Sequence, residues 1–83
     1  MTEIQGGINL ELYLLTVKDV AERLKVNVNY VYELIKKGHI EALRLGSMKI
    51  TNAELDRFIS SASGNDFSNL DNVVPLETLQ NKN

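Results

Sequence analysis

The chain has 83 residues, enough for one small domain, and it contains neither Cys nor Trp. Disulfide bonds and thiolate zinc sites are thereby excluded, so a core has to come from the 43% of residues that are hydrophobic. The formal charge of −2 argues against nucleic-acid binding when it is taken over the whole chain. We find no apolar run long enough to cross a membrane and no secretory leader, so we expect a cytoplasmic protein with no membrane partner.

The charges are distributed unevenly along the chain. Residues 16–59 hold eight basic and six acidic side chains, a net charge of +2, whereas residues 1–15 and 60–83 each carry a net charge of −2. The last part is rich in Asn, Asp and Ser, which offer little to bury. We therefore predict an N-terminal arm or strand at residues 1–12, a domain at residues 13–60 and a flexible acidic or polar tail at residues 61–83.

The N-terminal part alternates apolar and polar residues, which is typical of a strand. The alternating apolar residues are Ile8, Leu10, Leu12 and Leu14. This strand is expected to extend the sheet of the domain or to pair with another chain across an exposed edge.

The pattern then changes to helical. Thr16 with Asp19 predicts a capping box, and an apolar stripe follows at Val17, Val20, Ala21 and Leu24. Asn27 is the expected N-cap of a second helix, which Gly38 ends. The inward stripe predicted for this second helix is Val28, Val31, Tyr32 and Ile35, and its exposed set is Asn29, Tyr30, Glu33, Lys36 and Lys37.

Two strands and a third helix complete the domain. Gly46 and Ser47 predict a two-residue hairpin loop, which places Arg44 opposite Lys49 on one face and the hydrophobic residues on the other. Those hydrophobic residues are Leu43, Leu45, Met48 and Ile50. Thr51 and Glu54 predict a full capping box for the third helix, whose inward residues are Leu55, Phe58 and Ile59.

This order of elements predicts a mainly α fold with a small β-hairpin, a winged helix-turn-helix. The two helices need a small residue where they cross, and Ala21 stands there. Lys25 in the turn occupies a position that favours Gly, because the backbone adopts positive φ, at a cost of about 1 kcal/mol. A helix pair in an ordinary bundle would show the same apolar positions.

These residues carry a resemblance to a known family. The stretch 14–24, Val26-Asn27 and the stretch 31–40, followed by 42–46 and 50–59, resemble the excisionase-type, MerR-like winged helix-turn-helix family. Its members bind DNA as recombination directionality factors of phages and conjugative elements or as small regulators. The resemblance implies a recognition helix at residues 28–37 in the major groove and a wing at residues 43–50 near the minor groove or backbone. Family members often carry Arg where this chain has Val28 and Glu33.

The predicted partner is therefore double-stranded DNA. The expected base-reading residues are Asn27, Val28, Asn29, Tyr30 and Glu33. The expected phosphate and wing contacts are Thr16, Lys18, Lys36, Lys37, Arg44, Ser47 and Lys49. A domain of net charge +2 with Glu33 on its DNA-facing side should bind DNA weakly as a single copy. We therefore expect either self-association on repeated sites or a protein partner. That partner would be a recombinase (integrase) or another protein bound by the apolar patch at residues 73–79.

Catalysis has little support in the sequence. His39 is the only histidine, and its place at the end of a helix is explained by the helix dipole. We expect neither an enzyme nor a cofactor or metal site. The alternative function is a protein-interaction module that keeps the fold without binding DNA, which Glu33 and the acidic ends favour.

Overall fold

A computed structural model describes residues 11–76 of the chain. Within these residues, the three helices are α1 (Val17–Leu24), α2 (Val28–Lys36) and α3 (Asn52–Ala62). The five strands of the same range are β1 (Leu14–Thr16), β2 (Leu43–Leu45), β3 (Ser47–Thr51), β4 (Asn65–Asp66) and β5 (Val74–Pro75). Helix, turn, helix, hairpin and helix follow one another as the sequence predicts, so the fold is a winged helix-turn-helix.

Strands β1, β3 and β2 form an antiparallel sheet in that spatial order. A third strand joins the wing, but it spans residues 14–16 and shares only Leu14 with the predicted strand of residues 8–14. Residues 11–13 are not part of a strand, and residues 8–10 lie outside the described residues. Leu15 pairs with Ile50, and both are buried. Leu12 and Leu14 point to solvent, being 67% and 43% exposed, because the core-facing position of this strand is Leu15.

The core fills the space between this sheet and the helices. Its buried residues are Leu15, Val17, Val20, Ala21, Val31, Leu34, Ile40, Ile50, Leu55 and Phe58. Ala21 is buried at the crossing of α1 and α2, as the sequence predicts. Ile59, however, is 46% exposed, so the prediction that it faces inward with Leu55 and Phe58 is wrong.

The ends of α1 confirm two sequence predictions. The Thr16 hydroxyl accepts a hydrogen bond from the backbone N–H of Asp19, and the Asp19 carboxylate accepts one from the N–H of Thr16, each 3.0 Å long. This reciprocal pair is a capping box. Lys25 ends the helix at φ 62° and ψ 43°, the left-handed conformation that is costly for a side chain with a Cβ.

Helix α2 begins at its predicted cap, because the Asn27 side chain accepts a hydrogen bond from the Tyr30 N–H at 2.8 Å. At its other end Gly38 takes φ +83°, and the N–H of His39 bonds to the carbonyl of Leu34. These contacts satisfy the last carbonyls of the helix and turn the chain into the wing.

The start of α3 differs from the prediction of a full capping box. The Thr51 hydroxyl accepts from the Glu54 N–H at 3.0 Å, as expected. The Glu54 carboxylate, however, accepts from the backbone N–H of Glu41 at 2.8 Å and from Arg57. It therefore ties α3 to the segment that enters the wing.

Residues 61–76 differ from the predicted flexible tail, because α3 extends to Ala62 and strands β4 and β5 pair after it. The polar residues between these strands bond locally: the Asp66 carboxylate accepts from the Ser68 N–H, and the Asn69 side chain accepts from the Asp71 N–H. Phe67 and Leu70 pack on the core and anchor these residues to the domain. We call residues 63–76 the C-terminal segment.

Candidate nucleic-acid interface

The exposed face of α2 is the surface that a helix-turn-helix offers to DNA. Its members are Val28, Asn29, Tyr32, Glu33 and Lys36, spaced i, i+1, i+4, i+5 and i+8. The buried side of the same helix is formed by Val31 and Leu34, with Tyr30 and Ile35 partly buried. Asn29, Glu33 and Lys36 thus lie on the outer face, where the sequence predicts them.

The two tyrosines of α2 are placed opposite to the prediction. Tyr30 is turned inward, and its hydroxyl donates a hydrogen bond to the Phe67 carbonyl at 2.6 Å. Burial raises the pKa of this hydroxyl, and the charge of Asp66 adds to the increase. Tyr32 is 45% exposed. Tyr30 was therefore wrongly assigned to the outer face, and Tyr32 was missed.

The sequence of α2 is compatible with a second apolar stripe besides the one predicted. Tyr30, Val31, Leu34 and Ile35 are as apolar as the chosen set, and the two stripes share Val31 and Ile35. What decides between them is the hydrogen-bond partner of the tyrosine that turns inward. That partner, Phe67, lies 37 residues away in the C-terminal segment.

Two of the predicted contact residues already use their side chains as helix caps. Asn27 accepts from the Tyr30 N–H, and Thr16 accepts from the Asp19 N–H. Both caps are solvent-exposed. They fix where α1 and α2 begin, and Asn27 keeps its side-chain NH₂ as a donor towards a ligand.

The predicted phosphate-binding lysines of the helices fall into two kinds. Lys18 and Lys36 are exposed on α1 and α2. Lys37 instead forms an ion pair with Asp71, 2.8 Å from nitrogen to oxygen. The hydrogen bond that Lys37 donates to Asp71 raises the pKa of Lys37, and the same bond lowers the pKa of Asp71.

The wing has a different register from the one predicted. Leu45 pairs with Ser47, Arg44 with Met48, and Leu43 with Lys49, so a single residue, Gly46 at φ +74°, forms the turn. The prediction that Arg44 pairs with Lys49 is therefore wrong. A shift of one residue changes which side chains share a face.

The core explains this register. Ile50 is fully buried, and Met48 lies on the same side of β3, so the outer side of the wing receives the remaining alternating residues. Leu43 and Leu45 are thus exposed, at 37% and 57%, beside Lys49. The loss of the expected apolar face follows from the pairing, because Leu43 and Leu45 pair with Lys49 and Ser47, which lie on the side of β3 opposite to Ile50.

Lys49 stabilises this tight turn. Its ammonium group donates to the Leu45 carbonyl and to the Ser47 hydroxyl, both at 2.9 Å. Arg44 is exposed. The two ion pairs formed within residues 11–76 are Lys37–Asp71 and Arg57–Glu54, so Lys36, Arg44 and Lys49 keep their positive charge without a carboxylate partner there.

An open cleft of about 750 Å³ lies between the end of α2 and α3. The Arg57 guanidinium on its wall donates to Glu54, to the His39 carbonyl and to Ser61. The His39 ring stacks edge-on against Phe67 with centroids 5.4 Å apart, and its Nε2 bonds to the Leu70 carbonyl. The contacts of His39 with Phe67 and Leu70 hold the C-terminal segment in place, and the hydrogen-bonding groups of Arg57 already have partners.

Residues 11–76 contain no group of His, Cys, Asp or Glu side chains that could hold a metal ion. Within the same residues, no helix has the length and apolar character needed to cross a membrane.

The crossed helices, the three-stranded sheet and α3 define a winged helix-turn-helix protein. A family model described as a helix-turn-helix domain matches residues 14–63, and the protein belongs to that family. This match covers more than half of the chain and indicates a DNA-binding protein. No curated protein and no solved structure matches the chain.

Proposed function

We propose that this protein is a small DNA-binding protein of a mobile element or phage, which acts as an excisionase-like recombination directionality factor or as a transcriptional regulator. In this proposal α2 enters the major groove, and the wing contacts the backbone or minor groove. The protein works in the cytoplasm, without a cofactor and not as an enzyme. The helix-turn-helix family that the chain matches includes excisionase-like proteins.

The observation that carries the proposal is the exposed face of α2, where Asn29 and Glu33 stand one turn apart. An Asn side chain bonds to the N6 and N7 atoms of adenine, and a Glu side chain accepts from the N4 amino group of cytosine. Asn29 lies in the first turn of the helix, the part that reaches the base edges in this class of protein, and Glu33 follows one turn later on the same face. Lys36 lies at the end of the same face, where it suits a phosphate.

A single copy is expected to bind weakly. The cations without a carboxylate partner near the proposed interface are few, and Glu33 repels phosphate. We therefore include binding of several copies to repeated sites in the proposal. The outer edges of β1 and β2 are the places where strands of two copies could pair.

Binding of a duplex DNA library across a salt series tests the proposal. With three to four phosphate contacts, log Kd should change with log salt concentration by about 3 in magnitude. Absence of binding at low salt, or a slope near zero, would contradict DNA binding. A recombination or reporter assay next decides between excision and transcription control.

The exposed hydrophobic residues favour a second candidate function, docking on a protein. Leu14, Leu43 and Leu45 lie on the outer side of the sheet and are 37–57% exposed. Exposed apolar side chains of this size often mark contact surfaces when they are close together. A partner that stays bound after nuclease treatment, together with failed DNA binding, would support this function.

A further inference from the structure

Two apolar side chains lie on the DNA-facing side of α2. Val28 is 37% exposed and Tyr32 is 45% exposed, and they are four residues apart on the same helix. They stand beside Asn29 and Glu33, which are spaced in the same way. Residues four apart are neighbours on a helix surface, so this face consists of an apolar strip next to a polar strip.

The polar strip matches polar base edges, and the apolar strip needs a different partner. Among the groups displayed in the major groove, the apolar one is the C5-methyl group of thymine. An aromatic ring and a Val side chain are both suited to cover it, because each removes apolar surface from water on contact. Apolar side chains gain nothing from contact with phosphate, so in a DNA complex a contact with the bases is the one that buries Val28 and Tyr32.

We propose that Val28 and Tyr32 read thymine methyl groups, so that the protein selects sites in which thymine lies next to the bases that Asn29 and Glu33 contact. This inference rests on the proposed DNA binding and deepens it, because it names the chemical group that is recognised. It also explains how a face lacking arginine gains sequence preference: methyl contacts discriminate between bases without adding charge.

The first experiment selects a preferred site from duplexes with 12 randomised base pairs, a length of about one helical turn. Each thymine of the selected duplex is then replaced singly by uracil, which lacks only the C5-methyl group. Binding to wild-type protein should weaken about fourfold at each contacted position, the value expected for one methyl group. Uracil outside the selected site should have no effect.

The second experiment assigns the effect to the two side chains. In Val28→Ala and Tyr32→Ala, the ratio of thymine to uracil affinity should fall towards one at the position that each residue covers. Tyr32→Phe should keep the wild-type ratio, because the ring and not the hydroxyl makes the contact. Tyr13→Ala is the matched control, since Tyr13 is 46% exposed before β1 and only its backbone bonds to Asn52.

The outcomes separate this inference from the proposed function. Failure to bind any duplex would contradict DNA binding and the methyl contact together. Selective binding with equal affinity for thymine and uracil at every position would overturn the methyl contact alone. Unchanged thymine preference in both Val28→Ala and Tyr32→Ala, with circular dichroism showing that they fold, would also overturn it.

Discussion

The ammonium group of Lys37 at the end of α2 lies 2.8 Å from the carboxylate of Asp71 in the C-terminal segment. The carboxylate raises the pKa of Lys37, and the lysine in turn lowers the pKa of Asp71. A lysine predicted to bind phosphate is thus paired with a carboxylate of the same chain. In the proposed complex, DNA has to compete with Asp71 for this cation.

Replacement of Asp71 by Asn is therefore expected to strengthen DNA binding. The variant frees the charge of Lys37 and removes an anion near the proposed interface, so affinity at low salt should rise several-fold. The salt dependence should become steeper by up to about 0.9 in the logarithmic slope, the value for one additional phosphate contact. Fluorescence anisotropy with one duplex at several salt concentrations measures both.

Asp56→Asn is the matched control for this experiment, because Asp56 is an exposed carboxylate on α3. It changes the net charge equally without freeing Lys37. Equal effects of the two variants would show that net charge, and not the Lys37–Asp71 pair, governs affinity.

Replacement of Lys25 by Gly should stabilise the domain. Lys25 is the one residue other than Gly with positive φ within residues 11–76, and its φ of 62° is unfavourable for a residue with a Cβ. The free energy of unfolding should rise by about 1 kcal/mol, less the entropy that Gly adds to the unfolded chain. Urea denaturation measures the change.

Lys18→Gly gives the opposite result if the reasoning is right. Lys18 lies in the first turn of α1, where Gly costs part of the roughly 1 kcal/mol that it costs in a helix interior. Two Lys-to-Gly changes seven residues apart should therefore differ in sign. A loss of stability in Lys25→Gly would contradict the strain argument.

The features that were predictable from sequence are those set by neighbouring residues. The Thr16–Asp19 capping box, the Asn27 cap and the positive φ of Lys25 each depend on contacts within a few residues. Local chemistry decides such features, so the order of helices and wing could be predicted as well.

The features that were missed depend on distant residues. Tyr30 turns inward because its hydroxyl bonds to the carbonyl of Phe67. The Glu54 carboxylate accepts from the N–H of Glu41 and so does not complete the predicted capping box. The hairpin register depends on the burial of Ile50 against Leu15 in another strand. A local turn signal could not supply that information.

The C-terminal segment illustrates the same limit. Its polar composition predicts disorder, but Phe67 packs on Phe58 with ring centroids 5.4 Å apart. Composition averages over the segment, whereas a few well-placed anchors decide whether it docks. The sequence therefore predicted that Asn29, Glu33 and Lys36 lie on the exposed face of α2. It did not predict that Tyr30 turns inward and that Tyr32 takes its place on that face.

Replacement of Phe67 by Ala should destabilise the domain. Phe67 is partly buried and makes edge-to-face contacts with Phe58 and His39. Its loss should lower the free energy of unfolding by about 2 kcal/mol, below the usual cost for a fully buried Phe. Leu76→Ala, at a residue that is 39% exposed in the same segment, should cost much less. Equal stability of Phe67→Ala and wild type would mean that the segment does not dock in solution.

Stability should depend on pH through Glu54. The hydrogen bond from Arg57 lowers the pKa of Glu54 below its ordinary value of 4.5, and the Glu41 N–H acts in the same direction. A carboxylate whose pKa is lower in the folded state stabilises the fold above its unfolded pKa. This stabilisation is lost as the pH falls through the lowered folded pKa.

Glu54→Gln isolates this contribution. At pH 7 the variant should be less stable than wild type, because the charged carboxylate that accepts from Arg57 and Glu41 is lost. The loss should be only about 1 kcal/mol, because Arg57 is exposed and solvent screens the pair. The difference should shrink as the pH falls below about 4.5, the value at which the unfolded carboxyl becomes protonated. Glu22→Gln on the exposed side of α1 is the control and should show no such trend. A difference that stays constant from pH 7 to pH 3 would contradict the assignment.

The two cations of the wing have different surroundings, so their replacement should have different effects on DNA binding and stability. Arg44 is exposed opposite Met48, whereas the Lys49 ammonium group binds the Leu45 carbonyl at the turn. Arg44→Ala should weaken binding to all duplexes alike and reduce the logarithmic salt slope by about 0.9, with little change in thermal stability. Lys49→Ala should weaken binding and also lower the melting temperature, since the turn loses its hydrogen bonds. Arg23→Ala on α1 removes an equal charge outside the predicted contacts and is the control. A salt slope that Arg44→Ala leaves unchanged would exclude Arg44 as a phosphate contact.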